Sequence, residues 1–380
     1  MTSFWQILFW AASLLLAWVY FGYPTLAWAL GRLRPIRLRS AGPPSPLVTV
    51  GVAVHQGADE IADRLANVLA QEIDFQIELI VASDGSTDAT AAIVRELAVR
   101  EPRIRLIELP RSGQSAAQSA IIKAAAGDVV VLTDSETRFE RAFLRDVVAP
   151  FADPRVGCTT GVLAWHYDTH TDTARHEGLY WRYEQAVRRW ESRAGWLSSA
   201  TGALLAVRRS VYHPVAAHAS LDQMLPLLSR ALGLLVVVVP SARGSDRGTS
   251  TPAEQFRARV RIATQGIEAN LRMARRIAPW HSPGPALAVW SHKIVRWMTP
   301  WLALLALAAA LALGALGQTT YLLAVGGFVA MFVLAGLGWV LRRTGRSAAV
   351  GTFPLTVIAV NLAFALGWLN LLLGRRIGRW

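Results

Sequence analysis

Ile77-Glu78-Leu79-Ile80-Val81-Ala82-Ser83-Asp84-Gly85-Ser86-Thr87-Asp88 is a short apolar run closed by a turn of Gly, Ser, Thr and Asp. An apolar run of about four to eight residues bounded by such a turn reads as a buried strand, here Ile77–Ala82. The same pattern repeats on either side. Leu47–Val54 is a β-branched run ending at the turn His55-Gln56-Gly57, and Asp59–Gln71 places Ile61, Leu65, Val68 and Leu69 on one helical face. Asp88–Arg100 reads as a helix, Ile104–Leu109 as a strand, Ser115–Ala126 as a helix and Val129–Thr133 as a strand. Strands separated by helices of this length predict an α/β fold, a mostly parallel sheet with helices on both faces.

Ligands of such sheets bind beyond the carboxyl ends of the strands, so the residues after Ala82 and Thr133 carry the chemistry. Asp84-Gly85-Ser86-Thr87-Asp88 offers a tight turn beside a ligand, or simply a helix cap. Thr133-Asp134-Ser135-Glu136 sets two carboxylates two positions apart, able to point to the same side of a strand end. Hard oxygen ligands at that spacing suit Mg²⁺ or Mn²⁺ bridging a nucleotide's phosphates, whereas solvated turn acids are the plainer alternative.

Outside this stretch the chain reads as membrane. Of its 380 residues 53% are hydrophobic and 15 are Trp, and the mean hydropathy is +0.33, too apolar for an ordinary soluble enzyme. Phe4–Leu30 is an almost unbroken apolar run, and Pro300–Gly317, Tyr321–Leu341 and Thr352–Leu373 are three more. Each approaches the roughly 20 residues that span a hydrocarbon core. The expected organisation is a transmembrane anchor over 1–31, a soluble domain over 43–276, interfacial helices over 277–299 and transmembrane helices over 300–373. Ala27-Trp28-Ala29 resembles a signal-peptide cleavage site, but the run is long and its basic cluster follows it. Arg32, Arg34, Arg37 and Arg39 on that side put the soluble domain in the cytoplasm. Arg342, Arg343 and Arg346 agree with four spans, whereas Arg375, Arg376 and Arg379 do not, so the last run is re-entrant or interfacial, or the rule fails there. The net charge of +13 and pI near 10.9 reflect arginines flanking membrane segments, which makes the lipid bilayer the partner rather than nucleic acid. The lone Cys158 excludes an internal disulfide and offers no metal cluster.

In this order the features resemble the inverting glycosyltransferases of family 2, which have the Rossmann-like GT-A fold, and among them the membrane-bound bacterial members. Ile77–Thr90, Val129–Thr137, Glu177–Arg193 and Gln255–Gly266 carry the likeness. The resemblance implies transfer of a sugar from a nucleotide-sugar donor to a polysaccharide or lipid-linked acceptor at the cytoplasmic face of the bacterial inner membrane. It implies that Asp84 hydrogen-bonds the donor's base or ribose and that Asp134 and Glu136 hold the metal. Tyr180 and Trp181, on the helix before the acceptor pocket, and Thr201 and Gly202, in a small-residue loop, fall on the acceptor side. Asp222 takes the place of the catalytic base, with Leu221 where the family has a first acid. Arg259 and Arg261 lie in the element that neutralises the departing diphosphate. Departures are His55-Gln56-Gly57 for Tyr-Asn-Glu, Gln114 for Lys and Ser119 for Asn. A catalytically silent relative, acting as a membrane scaffold or nucleotide-sugar sensor, is the competing reading. Acids at each of these strand ends favour the enzyme. A transporter is disfavoured because the apolar runs hold no Asp, Glu or Lys.

Overall fold

The computed structural model describes residues 1–39, 47–166, 172–215, 219–247, 252–277, 280, 282–343 and 349–375. Its strands are β1 (Leu47–Val54), β2 (Gln76–Asp84), β3 (Ile104–Leu109), β4 (Val129–Asp134), β5 (Arg138–Phe139), β6 (Val156–His166), β7 (Leu205–Arg208) and β8 (Leu235–Arg247). They form one sheet in the order β3-β2-β1-β4-β7-β6-β8-β5. The four strands legible in the sequence are all present and mutually parallel. Beyond β4 the sheet turns mixed. β7 runs antiparallel to β4 and β6, and β5 antiparallel to β8, while β6 and β8 are parallel.

An N-terminal pair, α1 (Thr2–Ala17) and α2 (Tyr23–Leu33), made continuous by a π-helical turn at Trp18–Gly22, precedes the helices of the sheet domain. They are α3 (Ile61–Leu69), α4 (Thr90–Arg100), α5 (Gln114–Ala124), α6 (Phe143–Val148), α7 (Asp172–Arg193), α8 (Leu221–Ala231) and α9 (Pro252–Met273). α4 starts at Thr90 rather than Asp88 because Asp88 serves the turn. Its carboxylate accepts from the Thr90 amide at 3.1 Å and from the Ala58 amide at 3.0 Å.

Period-two alternation sorts β1 onto two cores. Val48, Val50, Val52 and Val54 enter a cluster with Ile61, Leu65 and Val68 of α3. Ala53 faces a second cluster containing Ile121 and Ile122 of α5 and Leu225 of α8. Gly51 lets α5 close on the sheet, since a side chain there would lie 2.3 Å from Ile121 Cγ2.

The C-terminal part consists of α10 (Pro283–Ala288), a π-helical turn at Val289–Val295, α11 (Thr299–Ala315), α12 (Leu322–Arg343) and α13 (Ala349–Leu372). Thr2–Leu33, Thr319–Leu341 and Phe353–Leu372 are long and apolar enough to cross a membrane. Pro283–Val295 and Thr299–Ala315 meet at 64°, a broken span or a re-entrant turn, which would make a fourth if they form one span. The last run, Phe353–Leu372, is itself among the helices long and apolar enough to cross. Pro300, second residue of α11, cannot donate to the preceding turn, so the helix does not run straight through it.

The apolar helices are joined to the sheet domain by specific contacts. Tyr23 Oη of α2 donates to Glu191 of α7 at 2.5 Å, and His292 lies between Glu191 (2.7 Å) and Glu184 (3.1 Å). Lys293 and Arg296 donate to Glu184 at 3.2 and 3.0 Å. On the other side α13 packs on α9, with Val360 and Phe364 against Ala263 and Ile267.

Candidate active site

Several hydrogen bonds join the loops after β1 and β2, and the Gln56 side chain makes three of them. Gln56 adopts a left-handed backbone (φ 54°), and its side-chain oxygen accepts from the Thr87 and Asp88 amides at 3.0 and 3.1 Å. Its amide nitrogen donates to Thr87 Oγ1 at 2.9 Å. The departure from Tyr-Asn-Glu at this turn thus has a structural use. Asp84, fully buried at the end of β2, accepts from Arg111 Nη1 at 2.9 Å and from the amides of Ser112 (2.6 Å) and Gly113 (2.9 Å). This carboxylate, which the resemblance assigns to the donor's base or ribose, holds the loop that opens α5. The reason is register: Asp84 pairs with Leu109 at the end of β3, which puts the unpaired amides at the start of α5 next to it. Gly85 makes the approach feasible, at φ 64°, because a side chain there would lie 2.7 Å from the Arg111 amide nitrogen.

Asp134 ends β4, two strands from Asp84 across β1. Gln114, first residue of α5, donates to its Oδ1 at 2.8 Å, so the glutamine that replaces the family's lysine orients the acid. Burial raises the Asp134 pKa to about 6, the charge of Asp222 adds to the rise, and the Gln114 hydrogen bond, Arg64 and Arg261 oppose it. Glu136 still reaches solvent. The cleft walls around it, with Asp134, Asp246 and Glu60, nevertheless push it up to about 7. Among the described residues no three His, Cys, Asp or Glu side chains converge as a ready-made metal cage. The donor set is instead a pair of carboxylates with further acids nearby. That fits a hard cation completed by phosphate oxygens, as Mg²⁺ usually is, since a cation there would relieve the mutual repulsion.

Asp222 sits in the first turn of α8, capped by Ser220, whose hydroxyl donates to it. Burial raises its pKa, while the Ser220 hydrogen bond and the positive charge of Arg261 lower it. Gly202 packs directly on this carboxylate: a side chain there would lie 3.0 Å from Asp222 Oδ2. Leu221, in the place of the family's first acid, is fully buried in the core, where a carboxylate would be costly. Asp134, Asp222 and Arg261 of α9 therefore lie close enough to act on one another's charge, although they are separated by up to 127 positions in sequence. Arg259, half-buried, is two positions earlier on α9, about 200° around the helix axis from Arg261. Thr201 accepts from Arg188 Nη1 at 3.0 Å, and its amide donates to Thr160 Oγ1 at 2.9 Å. Trp181 is partly buried; its indole N–H donates to the Leu163 carbonyl at 3.2 Å and its ring meets Trp165 edge-on at 6.4 Å, so packing uses much of it. The Tyr180 side chain lies outside the described residues.

Arg64, Arg111, Arg188 and Asp246 escape a sequence reading. Arg64 is fully buried, donating to Thr133 at 2.8 Å and to Asn67 at 2.7 Å, with its guanidinium 3.9 Å over the Phe139 ring. It brings a positive charge within electrostatic reach of Asp134, although burial and the nearby Arg138 lower its pKa to about 9. The only sequence signal for it is a charge on the apolar face of α3, where Ile61, Leu65 and Val68 are also buried.

Comparison with known proteins agrees with this geometry. The sequence profile of glycosyl transferase family 2 matches residues 49–215, from β1 to just past β7. An N-acetylglucosaminyltransferase of Mesorhizobium japonicum is 28% identical over 174 residues, 45% of this chain and 41% of that one. The succinoglycan biosynthesis protein ExoO of Rhizobium meliloti is 38% identical over 104 residues, 27% of this chain and 29% of that one. The matches span less than half of both relatives. An N-acetylglucosaminyltransferase of Bradyrhizobium elkanii is 30% identical over 129 residues, 33% of this chain and 71% of that one. Among solved structures, the mannosyltransferase PcManGT from Pyrobaculum calidifontis, in complex with GDP-Man and Mn²⁺, superposes with a TM-score of 0.71 at 22% identity. That superposition covers 97% of this chain and 99% of that one, so the two share a fold from the sheet domain through the apolar helices. A parallel β1–β4 core with acids at its carboxyl edge, matched by the family's profile over the same residues and by a relative most of whose length it covers, means that the chain belongs to glycosyl transferase family 2.

Proposed function

We propose that the protein transfers a sugar, with inversion, from a nucleoside-diphosphate sugar to a saccharide or lipid-linked acceptor at the cytoplasmic face of a bacterial membrane. The observation that carries this reading is the convergence of Asp134, Asp222 and Arg261 from three distant elements at one edge of the sheet. Asp134 and Glu136 would hold Mg²⁺ or Mn²⁺ against the donor's diphosphate, where the ion neutralises charge that develops on the leaving group. Gln114 fixes one oxygen of Asp134, and Arg261 adds a permanent positive charge on the leaving-group side. Asp222 accepts the proton of the acceptor hydroxyl as that oxygen attacks the anomeric carbon. Its raised pKa makes it a stronger base than a solvated carboxylate. Asp84 and Arg111 serve the donor indirectly, by holding the loop at the start of α5. The apolar helices keep the site at the bilayer surface, where a lipid-linked acceptor would lie.

The test is release of nucleoside diphosphate by the full-length protein in detergent micelles, with Mg²⁺ or Mn²⁺, across a panel of nucleotide sugars. The activities named for the relatives make N-acetylglucosamine and mannose donors the first to try. Release with one donor, abolished by chelator and by Asp134→Ala, is expected. A folded protein that turns over no donor with any acceptor would favour a silent scaffold instead. A donor that binds equally well with chelator would remove the metal from the mechanism.

A further inference from the structure

Two side chains of α3 reach the turn that carries Asp134 and Glu136, and they hold it at both ends. The turn lies between Thr133, near the end of β4, and Phe139, the last residue of β5. At the first end Arg64 Nη2 donates to Thr133 Oγ1 at 2.8 Å. At the second, Asn67 pairs reciprocally with the backbone of Phe139. Its Nδ2 donates to the Phe139 carbonyl at 3.0 Å, and its Oδ1 accepts from the Phe139 amide at 2.9 Å. Arg64 Nη1 donates to the same Oδ1 at 2.7 Å, and its guanidinium lies 3.9 Å over the Phe139 ring. The two feet of the turn are thus tied to each other through one pair of residues, a helical turn apart on α3. Within the turn Arg138 Nη1 donates to the carbonyls of Ser135 and Thr137 at 2.9 and 3.2 Å.

Ordinary packing does not account for Arg64. Its neighbours on the buried face of α3 are Ile61, Leu65 and Val68, and an apolar side chain would fill the same space without the cost of burying a cation. What arginine adds is a pair of directed hydrogen bonds, one toward each end of the turn. The turn has reason to need them. Asp134 and Glu136 stand two positions apart with like charges, and the charge of Asp134 opposes ionisation of Glu136. A turn fixed in advance spares ligand binding the entropy of ordering it.

We propose that Arg64 and Asn67 are positioning residues that hold the Asp134–Glu136 turn in the form that accepts a divalent cation, so that α3 sets the metal affinity of the site. The inference rests on the reading of Asp134 and Glu136 as metal ligands and adds to it the residues that preform them. Two effects of Arg64 oppose each other. Its charge acts on Asp134 and by itself disfavours a second cation nearby, whereas its hydrogen bonds fix the turn and favour one.

The experiment titrates full-length protein in detergent micelles with Mn²⁺ by calorimetry, in the presence of GDP or UDP, and records the melting temperature of each metal-free variant. Asn67→Ala should weaken Mn²⁺ binding by about tenfold or more, the usual range for a residue that orients a metal ligand. Arg64→Met should weaken it too, although it removes a repelling cation. Asn67 is only partly buried, so Asn67→Ala decides the matter even where loss of the fully buried Arg64 prevents folding. Gln71→Ala is the control at the end of the same helix. Its side chain accepts from the Leu144 amide of α6 at 3.1 Å, away from the turn, so the variant should melt lower with Mn²⁺ affinity unchanged. Unchanged affinity in Asn67→Ala, tighter binding in Arg64→Met, or an equal loss in Gln71→Ala overturns the proposal. The first would leave only packing, the second only charge and the third a general loosening. Asp134→Ala separates this inference from the reading beneath it. If Asp134→Ala binds Mn²⁺ as the wild type does, or the wild type binds none with either nucleotide, the metal assignment falls and the clamp with it. If Asp134→Ala loses Mn²⁺ while Asn67→Ala keeps it, the metal site stands without the clamp.

Discussion

At Asp222 a half-buried carboxylate is held by Ser220 on one side and pressed by the backbone of Gly202 on the other. Replacing it with Asn keeps the shape and removes the proton-accepting charge. Turnover of Asp222→Asn should fall roughly 10²-fold or more, with donor affinity little changed, the usual scale for loss of a general base. A variant keeping more than about a tenth of the activity, with chemistry rate-limiting, would take the role away from Asp222. Gly202→Ala should reach a similar end by displacement, because the added carbon lands within contact of the Asp222 oxygen. The pH dependence follows from the same environment. A base must be deprotonated to work, and the Asp222 pKa lies above the ordinary aspartate value, so activity should be lost on acidification at a higher pH than a solvated aspartate would give. Metal binding should fail over a related range. Asp134 and Glu136 titrate at about 6 and about 7 without a cation, so protons compete with the ion as pH falls from 7.5 to about 5.5. Metal titrations at those two pH values check this; equal affinities would mean that these acids are not the ligands.

Among the elements, α9 connects the site to the apolar helices. It bears Arg261 on one stretch and packs Ala263, Thr264 and Ile267 against α13 on the next. The approach is close at Gly367, where a side chain would lie 3.1 Å from the Ala263 Cβ and 3.2 Å from the Thr264 amide nitrogen. Gly367→Leu should therefore push α13 from α9 at a cost of about 1–3 kcal/mol. Because Arg261 is two residues from that contact, turnover should drop even though residue 367 lies far along the chain from the site. Thermal melting and single-turnover rates on the purified variant check this together. Unchanged melting would mean that the two helices separate without strain, and unchanged turnover that α13 does not position Arg261.

Orientation in the bilayer is a property of the whole molecule. Four arginines follow the first apolar helix, and nucleotide sugars are cytoplasmic, so a reporter fused after Arg276 is expected to behave as cytoplasmic. Periplasmic behaviour would overturn both the topology and the donor class. The bent pair Pro283–Ala315 decides where the C-terminus lies: as a broken span it leaves the chain with four crossings, as a re-entrant turn with three.

Much of the first half of the molecule follows from the sequence alone. Leu47–Val54 and Ile104–Leu109 are strands with the boundaries their apolar runs mark, and the parallel order of β1 to β4 is what intervening helices require. Asp134 and Glu136 were legible because a turn after an apolar run marks a strand end, which is where open sheets bind ligands. The second half was not legible in this way. β5 has two residues and β7 four, too few for a period to register, and both pair antiparallel with strands distant in sequence. Nor could local pattern say that Asp84 turns inward to Arg111, or that Arg64 and Arg188 lie buried among acids, since each depends on which loops and helices the sheet brings side by side. Periodicity and turn chemistry act over a few residues and so can be read along the chain. Charge pairing and close packing act through space, and only the folded chain decides which residues share that space.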